Sequence, residues 1–124
     1  MLEKEIDEFG RRIGLPGLKL NDNGLAQLNI EGLGSLSLEL ATEGRHGERD
    51  LVFSIALSPD AHAAEKLPAA FAAVNSDERL PLQMAAGLLE NRLILSVRLS
   101  TDRVRSSDLE NALRLLLSKA EALR

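Results

Sequence analysis

Residues 2–24 read LEKEIDEFGRRIGLPGLKLNDNG, and this stretch predicts a helix, a stop and a turn in succession. Apolar residues recur in it at steps of four, three and four positions: Leu2, Ile6, Phe9 and Ile13. That spacing places the four side chains on one face of a helix, with charged residues on the other. Gly14 and Pro16 then interrupt the pattern, so we predict a helix over residues 2–13.

Strands follow this helix. Residues 18–20 are extended, and residues 21–24 form a turn because Asn and Gly tolerate positive φ. Apolar residues then alternate with other residues in three segments, which is typical of strands with one buried face. These residues are Ala26, Leu28 and Ile30, then Leu36, Leu38 and Leu40, then Leu51, Phe53, Ile55 and Leu57. Because short connections join the three strands, we predict an antiparallel meander.

The second half of the chain repeats the change from helix to strand. Helical spacing relates Ala64, Leu67, Phe71 and Val74, and Pro68 predicts that the regular helix begins near it. Alternation at Leu82, Met84 and Ala86, and again from Leu93 to Leu99, predicts a hairpin that turns at Glu90 and Asn91. A final helix begins at an N-cap within residues 106–108. The order α-β-β-β-α-β-β-α predicts one α+β domain over residues 1–124, with a twisted antiparallel five-stranded sheet flanked by helices.

Composition argues against several classes of function. The net charge of −4 and the 2% aromatic content argue against nucleic-acid binding, which needs clustered cations and stacking side chains. The chain has no Cys, which excludes disulfides and thiolate chemistry. Its first residues are acidic, and no apolar run approaches the ~18 residues of a membrane span. We therefore expect a cytoplasmic protein without membrane insertion.

No group of residues indicates catalysis or metal binding. His46 lies two residues before Glu48 and His62 three residues before Glu65, so each pairing supplies at most two ligands, whereas a zinc site needs three or four. Residues 32–34 (Gly-Leu-Gly) connect two predicted strands, whereas a dinucleotide-binding loop opens a helix. We predict no catalytic residue, no metal ligand and no cofactor. A small enzyme that uses His46 or His62 as a base is the remote alternative, and lost turnover in His46→Ala or His62→Ala would support it.

Small polar residues alternate with the apolar ones on the predicted strands: Ser35, Ser37, Ser54 and Ser96. Two interpretations stay open at this point. The sheet either receives an added strand from a partner or has one ordinary solvated face.

The pattern resembles that of the class I type III secretion chaperones, the CesT-like family of bacteria. The resemblance rests first on residues 9–24, where a helix ends in Phe-Gly and in an Ile-Gly-Leu version of the family's Leu-Gly-Leu, followed by Leu-x-Leu and a polar turn with Gly. The strand at residues 36–40 and the Leu-rich close ending at residues 120–124 also match. The second helix departs from the family pattern in containing Pro68 and little Leu.

The resemblance implies a homodimer that binds the extended N-terminal segment of a secreted effector, without nucleotide. It implies effector contacts along the first helix and first strands, for which we name Ile6, Phe9, Leu18, Leu20, Leu28, Ile30 and Leu38. Packing in the core is the alternative for each of them, and it is the favoured interpretation for Phe9 and Leu38. It places the dimer interface in the second helix and the next strand, at Leu67, Phe71, Val74, Leu82 and Met84. Some relatives bind an anti-activator of secretion genes, so a regulatory role is the alternative. The secretion ATPase or a regulator is a further partner that the resemblance suggests.

Overall fold

The computed structural model describes residues 2–41, 50–75, 83–102 and 104–123. Its eight elements confirm the predicted order. They are α1 (Leu2–Arg12), β1 (Leu25–Ile30), β2 (Gly34–Leu40), β3 (Asp50–Leu57), α2 (Ala63–Asn75), β4 (Gln83–Leu89), β5 (Arg92–Ser100) and α3 (Ser106–Ala122). None of the helices in these ranges is both long enough and apolar enough to span a membrane.

The strands form a single antiparallel sheet in the order β1-β2-β3-β5-β4. The first three strands are the predicted meander, and β4 and β5 are the predicted hairpin, which turns at Glu90 with φ of 56°. Because β5 rather than β4 pairs with β3, the edges of the sheet are β1 and β4.

One face of the sheet forms the core. Successive strands align their apolar residues in rows, such as Leu28–Leu36–Ile55–Leu95–Ala86 and Ala26–Leu38–Phe53–Val97–Met84. The central members of both rows are almost fully buried. Phe9 of α1 meets Phe53 edge to face, with ring centroids 5.8 Å apart, and so fixes α1 over the middle of the sheet.

All three helices contribute buried side chains to this one core. α3 packs on β3 and β5, α2 packs on β4 and β5, and α1 packs against α3. Glu5 Oε1 accepts the backbone N–H of Ser106 at 3.1 Å, so a carboxylate of α1 caps the N-terminus of α3. On the opposite face of the sheet the serines at 35, 37, 54 and 96 are only half-buried. That face is the solvated one.

Glycine determines how α1 ends. The N–H of Leu15 bonds the carbonyl of Gly10 at 2.6 Å and that of Gly14 bonds the carbonyl of Arg11 at 3.2 Å, with Gly14 at φ of 84°. This is a Schellman ending, which requires a residue that tolerates positive φ. A Cβ on Gly10 would lie 2.6 Å from the Cβ of Leu18, so Gly10 also lets the returning chain approach the helix closely.

Three local predictions about the helices were wrong: the start of α2, its inward face and the N-cap residue of α3. α2 begins at Ala63, five residues before Pro68, because Asp60 anchors its first turn: Asp60 Oδ1 accepts the N–H of His62 at 2.8 Å. The inward residues of α2 are Ala63, Leu67, Ala70 and Val74, so Ala64 and Phe71 face outward. α3 is capped by Asp108, whose Oδ2 accepts the N–H of Arg105 at 2.9 Å, and its N-cap residue is Arg105.

Candidate binding groove

A groove of about 550 Å³ opens between α1 and the chain that leads into β1. We call it the binding groove. Its apolar lining comes from Leu2, Ile6, Leu20, Leu40 and Ala41. Its polar lining comes from Glu3, Lys19, Asn21, Asp22, Asn23 and Gly24. An apolar lining with polar groups around it suits a mixed ligand such as a polypeptide segment.

The polar turn holds its place beside β1 through Asn21. Asn21 Oδ1 accepts the N–H of Asn23 at 2.8 Å and that of Leu25 at 3.1 Å, as in an Asx turn. The N–H of Asn21 in turn bonds the carbonyl of Leu25 at 2.8 Å. Leu20, one residue earlier, is thereby held half-buried in the lining of the groove.

Beyond Leu25, β1 presents an unpaired edge. The N–H of Leu40 in β2 bonds the carbonyl of Gly24 at 2.8 Å, and backbone groups alternate in direction along an antiparallel strand. Residues 26, 28 and 30 therefore face β2, and residues 25, 27 and 29 face away from it. Asn21 already hydrogen-bonds the backbone N–H and carbonyl of Leu25. The backbone groups of Gln27 and Asn29, in contrast, have no partner among the described residues. An extended segment can hydrogen-bond there.

The structure divides the residues predicted to contact an effector. Ile6 and Leu20 line the groove, although Ile6 is only 1% exposed and also belongs to the core, and Leu28 and Ile30 are half-buried on the inner side of the β1 edge. Phe9 and Leu38 are 0% and 1% exposed, and Leu18 is 9% exposed, so these three lie in the core. The prediction did not name Leu2, Leu40 and Ala41, although Leu2 shares the stripe of α1 and Leu40 continues the alternation of β2.

The residues predicted for a dimer interface surround the second edge of the sheet. Val74 is buried within the chain, and Leu67 and Met84 are half-buried. Phe71 is 45% exposed on the outer side of α2, while Leu82 lies outside the described residues. Two residues not predicted, Leu88 and Leu89, are 38% and 63% exposed at the end of β4. We call Leu67, Phe71, Met84, Leu88 and Leu89 the β4 surface.

The charged groups are arranged in surface pairs. His62 lies exposed with Nδ1 3.5 Å from Glu65, and no cluster of metal-binding side chains occurs within the described ranges. His46 lies outside those ranges. The pKa of Asp60 is lowered by its hydrogen bond from Lys66, at 2.6 Å, and further by the N–H of His62. This arrangement anchors a loop and offers no nucleophile with a base beside it.

Several solved structures have this fold. One is the type III secretion chaperone SycH of Yersinia pestis in complex with a stable fragment of YscM2, with 18% identity, a TM-score of 0.70 and 100% of both chains covered. The ExsC–ExsE complex gives 24% identity and a TM-score of 0.73, covering 98% of this chain and 89% of the other. The HopA1–SchA chaperone–effector complex has 17% identity and a TM-score of 0.70, and the match covers 98% of this chain and 91% of the other. At these identities the likeness establishes the fold.

Comparison of the sequence with family profiles identifies the family. No curated protein matches it closely enough to serve as a relative. The profile of the Tir chaperone protein (CesT) family, however, matches residues 4–124, which is nearly the whole chain. The chain belongs to the Tir chaperone protein (CesT) family.

Proposed function

We propose that this protein is a chaperone of type III secretion that binds the extended N-terminal segment of an effector in the bacterial cytoplasm and keeps it soluble and competent for export. It acts by binding alone, without catalysis or a cofactor. The observation that carries the proposal is the continuity of the binding groove with the unpaired edge at Gln27 and Asn29.

The edge and the groove contribute different interactions: the edge offers backbone hydrogen bonds, and the groove offers apolar contacts. The backbone groups of Gln27 and Asn29 bond an added strand of any sequence, which suits a chaperone whose ligand is unfolded. Side chains of that strand alternate, so every second one turns to the inner side, towards Leu28, Ile30 and the groove. There they bury apolar surface that would otherwise favour aggregation.

The structural neighbours support this proposal. SycH was solved with a fragment of YscM2, and SchA with HopA1 in a chaperone–effector complex. Those partners belong to those proteins, but the fold is shared with this chain.

We further propose a homodimer formed through the β4 surface. Leu89, Leu88 and Phe71 are all exposed, which is a large amount of apolar side chain for the surface of a monomer. A two-fold axis would place this surface against its own copy and bury on the order of 1,600 Å² in total.

The test compares two substitutions of exposed or half-exposed leucines. Leu20→Glu places a charge in the binding groove, and Leu15→Glu places one on a leucine that is 39% exposed and does not line it. Each tagged variant is co-expressed with the untagged N-terminal segment of a secreted protein encoded beside its gene, and co-purification is measured. We expect Leu20→Glu to lose the segment and Leu15→Glu to retain it, with both melting as wild type. Equal retention by two folded variants would contradict the proposed groove.

A further inference from the structure

The turn that leads into β1 contains a chemically labile asparagine. Asn23 precedes Gly24, and no other asparagine of the chain is followed by a glycine. The backbone nitrogen of the next residue can attack an asparagine side-chain amide, and a glycine has no side chain that would shield this nitrogen. Asn23 is exposed and lines the binding groove, so a change in its covalent structure would alter that surface.

The two asparagines of this turn are held differently. Asn21 Oδ1 accepts the backbone N–H groups of Asn23 and Leu25 at 2.8 and 3.1 Å, which fixes the Asn21 side chain. The side-chain amide of Asn23, in contrast, makes no hydrogen bond to any part of the chain that the structure describes. It is therefore free to turn its Cγ towards the nitrogen of Gly24.

One hydrogen bond opposes the attack. The N–H of Gly24 donates to the carbonyl of Asn21 at 2.9 Å and so closes a β-turn, and the nitrogen must lose this proton before it can react. The residues of the turn are exposed or half-buried, and such segments open locally at little cost in free energy. The reaction therefore proceeds in the folded protein through a local opening of the turn.

We propose that Asn23 and Gly24 form a site of spontaneous deamidation that inactivates the binding groove as the protein ages. Hydroxide takes the proton of the Gly24 nitrogen, which attacks Asn23 Cγ. The N–Cγ bond forms, the Cγ–Nδ2 bond breaks, and ammonia leaves with a proton from water. Water then opens the resulting cyclic imide, at Cγ to give aspartate or at the main-chain carbonyl to give isoaspartate. The sum consumes one water and releases one ammonia.

Isoaspartate would disrupt the turn that holds Leu20 in the groove. It routes the backbone through the side chain and so adds a carbon between Asn21 and Leu25, whose backbone groups are joined by a hydrogen bond of 2.8 Å. Both products also place a new carboxylate beside Asp22 in the polar lining. The inactivation rests on the proposed function, whereas the deamidation does not depend on it.

Peptide mapping of aged protein tests the chemistry. The purified full chain is incubated in mildly alkaline buffer, and circular dichroism confirms that it stays folded. Tandem mass spectrometry then follows, at each asparagine, the mass gain of exchanging NH₂ for OH. We expect Asn23 to convert first, to a mixture of aspartate and isoaspartate, while Asn21 and Asn29, whose Oδ1 atoms accept hydrogen bonds, stay unchanged. Conversion of Asn21 as fast as Asn23, or of neither, would overturn the proposal.

Two variants test the effect on the groove. Asn23→Gln keeps the backbone N–H that Asn21 Oδ1 accepts, but its longer side chain closes a ring far less readily. Asn23→Asp, used fresh, carries the charge without the extra backbone carbon. Binding of the effector segment, labelled with fluorescein, is measured by fluorescence anisotropy. We expect aged wild type to lose binding in proportion to its isoaspartate content and aged Asn23→Gln to bind as fresh protein does. Fresh Asn23→Asp should lose less than isomerised wild type.

Full binding by converted wild type, while Leu20→Glu still loses the segment, would overturn the inactivation and leave the proposed function standing. Equal losses in aged wild type and aged Asn23→Gln would place the damage elsewhere and would overturn it as well. If fresh wild type does not bind the segment, the proposed function and the inactivation fail together. Peptide mapping then still decides whether Asn23 is the site of deamidation.

Discussion

At the scale of single residues, close backbone approaches fix the geometry of the binding groove. The chain that carries Leu20 and Asn21 leaves α1 at Gly14 and passes back over Gly10, where no side chain intervenes. At Gly34 a Cβ would collide with the carbonyl oxygen of Ala56, so β2 also begins where only glycine fits. These positions determine the shape of the surface although they do not line the groove.

Gly10→Ala should destabilise the protein. The added methyl would lie 2.6 Å from both the Cβ of Leu18 and the carbonyl oxygen of Leu15, so the returning chain must shift, at a cost of about 1–3 kcal/mol. Thermal and denaturant unfolding measure the change. Gly87→Ala is the control, because a Cβ there meets nothing within 4 Å. Equal melting of the two variants would show that the close approach at Gly10 does not constrain the fold.

Asp60 should titrate below the ordinary range of an aspartate, because Lys66 and the N–H of His62 stabilise its charged form. A lowered pKa in the folded state means that the contribution to stability is present above the unfolded pKa of about 3.9 and is lost as the pH falls through the folded value. Lys66→Met should raise the pKa of Asp60 towards its ordinary value, as measured by NMR of the carboxyl carbon. An unchanged Asp60 titration in Lys66→Met would rule out this pairing in solution.

At the scale of elements, the two edges of the sheet have different character. The β1 edge carries Gln27 and Asn29 and adjoins a groove, which suits a variable ligand. The β4 edge ends in Leu88 and Leu89 beside α2, which suits a fixed apolar partner. This difference supports the proposal that an effector binds at β1 and that the chain dimerises at β4.

Leu89→Asp should convert the proposed dimer to a monomer, because a charge buried there would be unpaired. Leu89 is 63% exposed in the single chain, so the substitution leaves the fold of each monomer intact. Light scattering after size exclusion measures the mass, and Leu15→Asp, on another exposed leucine, should stay dimeric. A Leu89→Asp protein that keeps the mass of a dimer would place the interface elsewhere.

Asn29→Pro should weaken effector capture without unfolding the chain. Proline removes an N–H that faces away from β2, and it is tolerated on edge strands in that orientation. Both Asn29→Pro and Asn29→Thr lose the hydrogen bond that Ser35 Oγ donates to Asn29 Oδ1. Only Asn29→Thr keeps the backbone N–H, which makes it the matched control. We expect co-purification of the effector segment to fall for Pro and to persist for Thr. Unaltered capture by folded Asn29→Pro would exclude strand addition at this residue.

At the scale of the whole molecule, one core supports both of the proposed binding surfaces. The helices cover the inner face of the sheet chiefly over β3, β4 and β5, and the inner side of β1 remains half-buried. The single chain thus buries the middle of its sheet and leaves apolar surface exposed at both sheet edges.

The melting temperature should therefore rise with protein concentration for the wild type, because association stabilises the folded dimer by mass action. The same series with Leu89→Asp should show a melting temperature independent of concentration. Differential scanning fluorimetry over a hundredfold range of concentration measures both. A concentration-independent wild type would argue against the dimer.

Local pattern determined the elements of this protein, their order and the fold class, because the spacing of apolar residues reflects the period of a helix or a strand. It also indicated Ile6 and Leu20, which line the groove, and the turn that holds Leu20. The phase of α2 came only from the tertiary structure: in an Ala-rich helix the apolar spacing fits several faces, and packing on β4 and β5 selects Ala63, Leu67, Ala70 and Val74. The burial of Leu18 and the exposure of Leu88 and Leu89 were also decided there. Each depends on which distant strands become neighbours, and no sequence spacing records that.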